Sequence, residues 1–406
     1  MTNIVYRSAL VALAGLSLLV GGDDGVNSPS SIRRIEREGR PAIAPTGRGE
    51  IRPHVWMSTR PSAHANTVGN FTPSQIVGAY GIGLAGGNGQ GATVAIVDAY
   101  DAPNAAGDLA TFSSTFGITC SSGGGKFTKV NENGQSSPLP AKNSGWEVEI
   151  SLDTQWVHAI APCANIILVE ANSSNTTDLM TAVDTAKTLA SVVSMSWGGS
   201  EFRGQTSQAF DGSFVQNGVT FLASSGDTGG QVEWPSSSPN VIAVGGTNLT
   251  LNANGSVASE TAWNGSGGGC SAIESAIPAQ KGFVPSTCRN RAVPDVAIDG
   301  GSVSAVPVLV SDQGGWYDVW GTSLAVQLWA GVVAIANGER TSPLTMTLSG
   351  LYTDAAGAPG SALYLDNFRD ITSGTAGRFS AGRGWDFVTG LGSPLANSLV
   401  PGYLTK

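Results

Sequence analysis

From about residue 72 the chain alternates short apolar, β-rich runs with segments of helical periodicity. TVAIVDAY is followed by GDLATFSSTFG, ANIILVEA by TTDLMTAVDTAKTLA, and SVVSMSW by SQAFDGSFVQNG; VTFLASSGD and VIAVGGTNL come next. This alternation predicts an α/β domain on a mostly parallel sheet with helices on both faces. In GWEVEISLDTQWVHAIAP, Val148, Leu152, Trp156 and Ile160 recur at near-helical spacing, which predicts a further helix. TSLAVQLWAGVVAIANG reads as another, and the chain after it is dense in Gly, Asp and Thr. Residues 23–66 carry IRRIEREGRP and then Pro, Ser and His without sustained periodicity, so they read as a short pro-segment or linker with no folded domain. Neither a repeat nor a second boundary interrupts residues 67–406, which are expected to form one domain.

The chain has 406 residues, 41% of them hydrophobic, enough for a packed core and against whole-chain disorder. Only 13% are charged and the net charge is -9, a surface that repels polyanions and argues against nucleic acid as a partner. Few ionisable groups also limit charge build-up when carboxylates protonate, which suits work in acid. Arg7 precedes the apolar run Ala9–Val20, whose length fits an export signal rather than a spanning helix, so residues 1–22 are expected to direct secretion. After its removal no membrane association is expected. Cys120, Cys163, Cys270 and Cys288 agree with an oxidising compartment and allow three connectivities. Cys270–Cys288 would close a short turn-rich loop, and Cys120–Cys163 would tie an early helical unit to the start of ANIILVEA; these pairs are the expected ones.

Glu149 and Asp153 are four residues apart in the predicted helix, so both carboxylates point the same way. Apolar neighbours favour burial, and burial with a like charge alongside would raise at least one pKa to give a proton-sharing pair. Glu147 points roughly opposite and reads as a solvated charge. Ser323 opens the second helix, where backbone N–H groups and the positive helix end favour negative charge; an ordinary N-cap serine would look the same. A serine nucleophile needs a base. Of the three histidines, His54 and His64 lie in the linker, and His158 is turned away from the carboxylate pair and reads as structural. Asp227, in the loop SSGDTGG, is a turn aspartate or, protonated, a donor to an oxyanion.

Together these segments resemble the sedolisin family, the serine-carboxyl peptidases, which share the subtilisin fold. The resemblance runs from about residue 72 to the C-terminus through VAIVDAYDAPN, EISLD with WVHAIAP, SMSWGG, SSGDTGG and GTSLA. It implies a doubly wound, subtilisin-like sheet, with Ser323 as nucleophile, Glu149 as base and later general acid, Asp153 orienting Glu149, and Asp227 as protonated oxyanion donor. NFRDITSGTAGRFSAGRGWDFVTGLGSP resembles the family's calcium site. That implies Ca²⁺ held in a C-terminal loop region by the Asp370 and Asp386 carboxylates and the carbonyls of Ile371, Gly382 and Gly384. The implied substrate is a peptide or protein, and a monomer is expected.

Two departures qualify the resemblance. Gln327 stands where the family usually has proline, so the start of the helix is expected to run straighter and Ser323 to be slightly re-aimed. About 45 residues separate the apolar N-terminus from the catalytic pattern, less than the family's folded prodomain, which leaves three alternatives: a different maturation, a missing prodomain, or a prodomain encoded elsewhere and supplied in trans as a partner. Two rival readings are a subtilisin-type peptidase with Asp98 as its acid, which lacks the histidine, and a non-catalytic secreted binding protein on the same fold.

Overall fold

The computed structural model describes residues 39–43, 51–67 and 71–405. The expected export signal and most of residues 23–50 lie outside the described residues. Near the N-terminus are the short strands β1 (Gly39–Pro41), β2 (Arg52–Pro53) and β3 (Trp56–Ser58), then helix α1 (Pro73–Ala79). The alternating segments become β4 (Thr93–Ala99), α2 (Ala105–Phe116), β5 (Phe127–Asn131), α3 (Ser144–Ile160), β6 (Asn165–Ala171), α4 (Thr176–Leu189) and β7 (Val192–Met195). After them come β8 (Trp197–Ser200), β9 (Thr220–Ser224), β10 (Glu233–Trp234), β11 (Ile242–Leu251) and β12 (Val257–Ala262). The last part carries β13 (Gly269–Ser275), β14 (Asn290–Val293), β15 (Val296–Asp299), β16 (Val306–Val310), β17 (Gly315–Trp320) and α5 (Thr322–Gly338).

The central sheet runs β12-β11-β9-β7-β4-β6-β5, with β15 also on β11. Every ladder in it is parallel except β11–β12. Strand β4 at the centre is buried on both faces, as its unbroken run Val94–Val97 requires. The predicted mostly parallel α/β sheet is therefore present. SQAFDGSFVQNG departs from expectation: it forms turns and a single 3₁₀ turn, Asp211–Phe214, because Gly212 and the surrounding polar residues leave no sustained apolar stripe. Both expected disulfides, Cys120–Cys163 and Cys270–Cys288, are formed.

The segment that reads as a linker contributes three strands. β1 pairs with β3, β3 with the edge of the β16–β17 hairpin, and β2 with β8. Helices α3 and α5 cross at close range: a Cβ on Gly331 would lie 2.5 Å from Ile160, so only glycine lets the two backbones approach this far. That approach brings the polar face of α3 onto the start of α5.

Candidate active site

Helix α3 is fixed at its N-terminus by Asn143, whose side chain accepts from the N–H groups of Gly145 and Trp146 at 3.0 and 3.2 Å. Residues Gly145–Ile160 are all buried, so Glu149 and Asp153 are carried inside the domain rather than on a wet face. Glu147 corrects the reading of a solvated charge: it is buried and paired with Lys142 at 2.9 Å, because the opposite face of α3 is covered as well.

Strand β17 ends at Trp320, and the next residue, Gly321, with a φ of 140° and no side chain, starts α5 sharply at Thr322. Ser323 is thereby set against α3 and donates from Oγ to Glu149 Oε2 at 2.9 Å, with the Ser196 carbonyl at 3.2 Å. Glu149 Oε1 and Asp153 Oδ1 have no other partner, an arrangement that one proton held between them satisfies. Burial, then the charges of Asp153 and Asp98, push Glu149 well above the ordinary carboxylate range. Burial also raises Asp153 to about 7, against the hydrogen bonds of Glu149, Ser196 and Gln327 that favour its charged form.

Gln327, one turn beyond Ser323, donates from Nε2 to Asp153 Oδ2 at 2.5 Å and to Ser196 Oγ at 2.8 Å. It is a side-chain donor at the inner end of the carboxylate pair, a role that sequence reading, which weighed only the helix backbone there, did not assign. Asp98 closes the cluster from β4. Both its oxygens are buried without a donor, and burial, then Asp153 and Glu170, raise its pKa strongly. Sequence reading met Asp98 only as the acid of a rival triad, since nothing local shows that β4 passes behind α3.

Asp227 lies after β9, across from the same helix start. Its Oδ1 accepts the Thr322 N–H and hydroxyl, each at 2.8 Å, while Oδ2 is buried without a partner. Burial raises it to about 7, with His54 and the Thr322 bonds opposing. The structure thus brings Glu149, Asp153, Asp227 and Ser323 together. No histidine takes part: both ring nitrogens of His54 are engaged by Ser224 and Glu233, at 2.6 and 2.8 Å, and burial lowers the pKa of His158.

A family model described as "Subtilase family" matches residues 128–385. Kumamolisin of Bacillus sp. (strain MN-32) is 30% identical over 404 residues, an alignment covering 90% of this chain and 69% of kumamolisin. The chain belongs to the sedolisin family of serine-carboxyl peptidases. Sedolisin of Pseudomonas sp. (strain 101) is 29% identical over 326 residues, covering 70% of this chain and 53% of sedolisin. A structure of Pseudomonas sedolisin complexed with two molecules of pseudo-iodotyrostatin superposes with a TM-score of 0.72 at 27% identity, over 84% of this chain and 98% of that one. The subtilisin-like fold expected from the sequence is thus confirmed. The chain spans about half the length of sedolisin and about two thirds of kumamolisin.

The residues expected to hold Ca²⁺ cluster around one turn. The Asp370 carboxylate accepts the Gly384 N–H, at 3.0 Å to Oδ1 and 3.1 Å to Oδ2, and the Tyr364 hydroxyl at 3.1 Å. Asp386 Oδ2 accepts the Gly382 N–H at 3.1 Å and the Thr389 hydroxyl at 2.9 Å. Burial, then the charge and hydrogen bond of Asp370 and the charge of Asp386, raise the Tyr364 pKa. An oxygen-only set of this kind fits a hard cation. Among the described residues no three acidic, His or Cys side chains form such a group, so the carbonyls of Ile371, Gly382 and Gly384 would have to complete the shell.

Proposed function

We propose that this chain is a secreted, acid-acting serine-carboxyl peptidase that hydrolyses peptide bonds of protein or peptide substrates. Ser323 is the nucleophile, Glu149 its base and later general acid, Asp153 the group that orients Glu149, and Asp227 the protonated oxyanion donor. The observation that carries this reading is the 2.9 Å bond from the Ser323 hydroxyl to Glu149, both buried, while the nearby His54 ring is engaged by Ser224 and Glu233 instead. With one proton shared, the Glu149–Asp153 pair can take the serine proton as the carbonyl is attacked and return it to the leaving amine. Asp227 Oδ2 donates only while protonated, and its raised pKa keeps it so in acid. Hydrolysis of a denatured protein between about pH 3 and 5, where ordinary carboxylates titrate, and its loss in Ser323→Ala test the reading. Secretion is supported by the apolar run Ala9–Val20 and by the two disulfides. The domain reading stands as part of the proposal: a signal over 1–22, a pro-segment or linker over 23–66 and the peptidase domain over 67–406.

Gln327 is the positioning residue of this scheme. Gln327→Leu keeps the volume but removes the donor to Asp153, whose charged form it favours. We expect kcat to fall about tenfold, the worth of one hydrogen bond to a charged group, with KM little changed. The limb of the pH profile that reports ionisation of the pair should move upward; an unmoved profile would assign Gln327 to packing alone.

For the C-terminal loop we propose that Asp370 and Asp386, with the carbonyls of Ile371, Gly382 and Gly384, would hold Ca²⁺, which when bound would supply positive charge to offset the two carboxylates. A ligand that binds only the folded state stabilises it by mass action. Chelator at neutral pH should lower Tm, by about 1–3 °C for ~1–2 kcal/mol lost from a domain of this size, and Asp386→Ala should remove the response to calcium. No change in Tm on either treatment would refute the site.

A further inference from the structure

Three acids that the chemistry assigned to Ser323 does not use, Asp98, Glu170 and Asp101, form a row behind it. Side chains alternate along a strand, so Val94, Ile96 and Asp98 share one face of β4, and Ile166, Leu168 and Glu170 share one face of β6. The β4–β6 ladder sets Asp98 directly opposite Glu170, on strands about 4.8 Å apart. The apolar members of both rows pack in one core with Val148, Leu152 and Trp156 of α3, so the two acids lie on the side of the sheet that α3 covers with Glu149 and Asp153. Both are fully buried, and neither Asp98 oxygen nor Glu170 Oε2 meets a donor. Asp101, just past β4, continues the row outward: its side chain is 14% exposed and pairs with Lys129 of β5, itself 17% exposed. Lys129 Nζ also stands 3.8 Å from Glu170 Oε1 and donates to the Ala102 carbonyl at 3.1 Å, while the Ala102 N–H donates to that Glu170 oxygen at 3.3 Å. Strand β7, on the other side of β4, adds the Ser194 hydroxyl and no charge. Among the described residues Lys129 is the one cation paired with any of these acids. The sheet order puts it on the edge strand β5 and Asp227 beyond β9, with β4 and β6 between.

Ionised, Asp98 and Glu170 would be uncompensated charges in a dry interior, which is strongly unfavourable. Burial, then the charges of Asp153 and Glu170, raise the Asp98 pKa strongly. Glu170 is raised to about 9 by burial, with the Lys129 charge opposing and the charge and hydrogen bond of Asp101 adding. Both are therefore neutral acids where ordinary carboxyls titrate, and a neutral carboxyl has one O–H to give and lone pairs to receive. Such a row has two directions. Pointing inward, Glu170 donates to Asp98, and Asp98 donates to a lone pair of Asp153 Oδ1, which meets no N–H or hydroxyl. Pointing outward, Asp98 donates to Glu170, and Glu170 to Asp101. Only the inward row gives the catalytic pair a donor that favours its charged form.

We propose that Glu170 is a positioning residue for the catalytic carboxyls, and that the Lys129–Asp101 ion pair at the surface tunes the ionisation of Glu149–Asp153 by choosing the direction of the Glu170–Asp98 row. The inference rests on the Glu149–Asp153 pair being the base of Ser323. The Asp101 anion draws the row outward, and the Lys129 cation cancels that pull. Each acid keeps its own proton when its carboxyl rotates, so turning the row moves no proton between residues. Lys129→Gln leaves the Asp101 charge uncompensated, turns the row outward and makes the pair harder to ionise. Asp101→Asn offers Glu170 an amide donor in place of a charge, turns the row inward and makes the pair easier to ionise.

The test measures kcat and KM against pH for the full chain on a peptide substrate. Lys129→Gln should move the limb that reports ionisation of the pair upward by about half a pH unit, which is about threefold in kcat at fixed pH on that limb. Asp101→Asn should move it downward by a similar amount, and in both variants KM and the plateau of kcat should stay at the wild-type values. Glu170→Met cuts the row, so in that background both displacements should fall below half their size, whereas Glu170→Gln keeps a donor and an acceptor and should retain them. Infrared spectroscopy supplies a readout that needs neither activity nor the methionine variant. At about pH 6, above the ordinary carboxylate range, a neutral-carboxyl band of the wild type should be missing from Glu170→Gln. An unmoved limb, displacement in one direction by both surface variants, full displacements in Glu170→Met, or an unchanged infrared band overturns the proposal. With Glu149→Gln inactive, those results leave the reading of the catalytic pair standing. Wild-type activity in Glu149→Gln would instead remove that reading and this inference with it.

Discussion

Ser323→Ala is expected to lower kcat by at least about 10⁴-fold, and Glu149→Gln to cost nearly as much, because a serine hydroxyl without its base is a poor nucleophile. The two residues share one 2.9 Å bond, so they act as a unit. The double variant should therefore be no more than a few-fold worse than either single one, whereas independent contributions would multiply. Glu149→Gln retains shape and can still hydrogen-bond Ser323, which separates loss of basicity from loss of packing. Single-turnover rates on a peptide substrate, with circular dichroism to show that each variant folds, make the measurement. Glu149→Gln at a tenth or more of wild-type activity would sink the assignment of the base.

Periodicity made α3 legible, and with it the shared direction of Glu149 and Asp153, because a 3.6-residue repeat is a local property. It did not show that α3 is covered on every side, and this is why Glu147 reads as solvated in sequence yet is buried beside Lys142. Which groups meet across the chain was legible only through the family resemblance. The Ser323–Glu149 contact spans 174 residues, and no local pattern encodes it. Gln327 shows the limit of reasoning from departures: the missing proline was visible, but the amide's two partners lie on α3 and after β7. Strands β2 and β3 escaped notice for another reason. Two or three residues carry no alternation, and such strands exist only because β8 and β17 offer open edges.

Asp227 gives the prediction that ties the site to acid. Burial raises its pKa to about 7, so below that pH it is neutral and Oδ2 can donate to a developing oxyanion. As pH rises through about 7 the proton is lost, and a negative charge replaces the donor where negative charge must form. Asp98 and Glu149 are raised as well, so across this range the folded state holds more protons than the unfolded chain, whose carboxyls titrate near 4. Stability as well as activity should then fall with rising pH. Asp227→Ala removes the donor and should cost about 3–4 kcal/mol in the transition state, roughly 10²–10³-fold in kcat. Asp227→Asn keeps a neutral N–H donor that cannot ionise. It should therefore retain more activity than the alanine variant, and its activity relative to wild type should rise between about pH 5 and 8, the span in which a carboxyl near 7 loses its proton. The remaining pH dependence of the asparagine variant reports the Glu149–Asp153 pair and the Asp98 carboxyl behind it. Equal activity for Asn and Ala, with a ratio to wild type that does not change with pH, would remove Asp227 from the oxyanion site and leave it as the residue that fixes Thr322 at the start of α5.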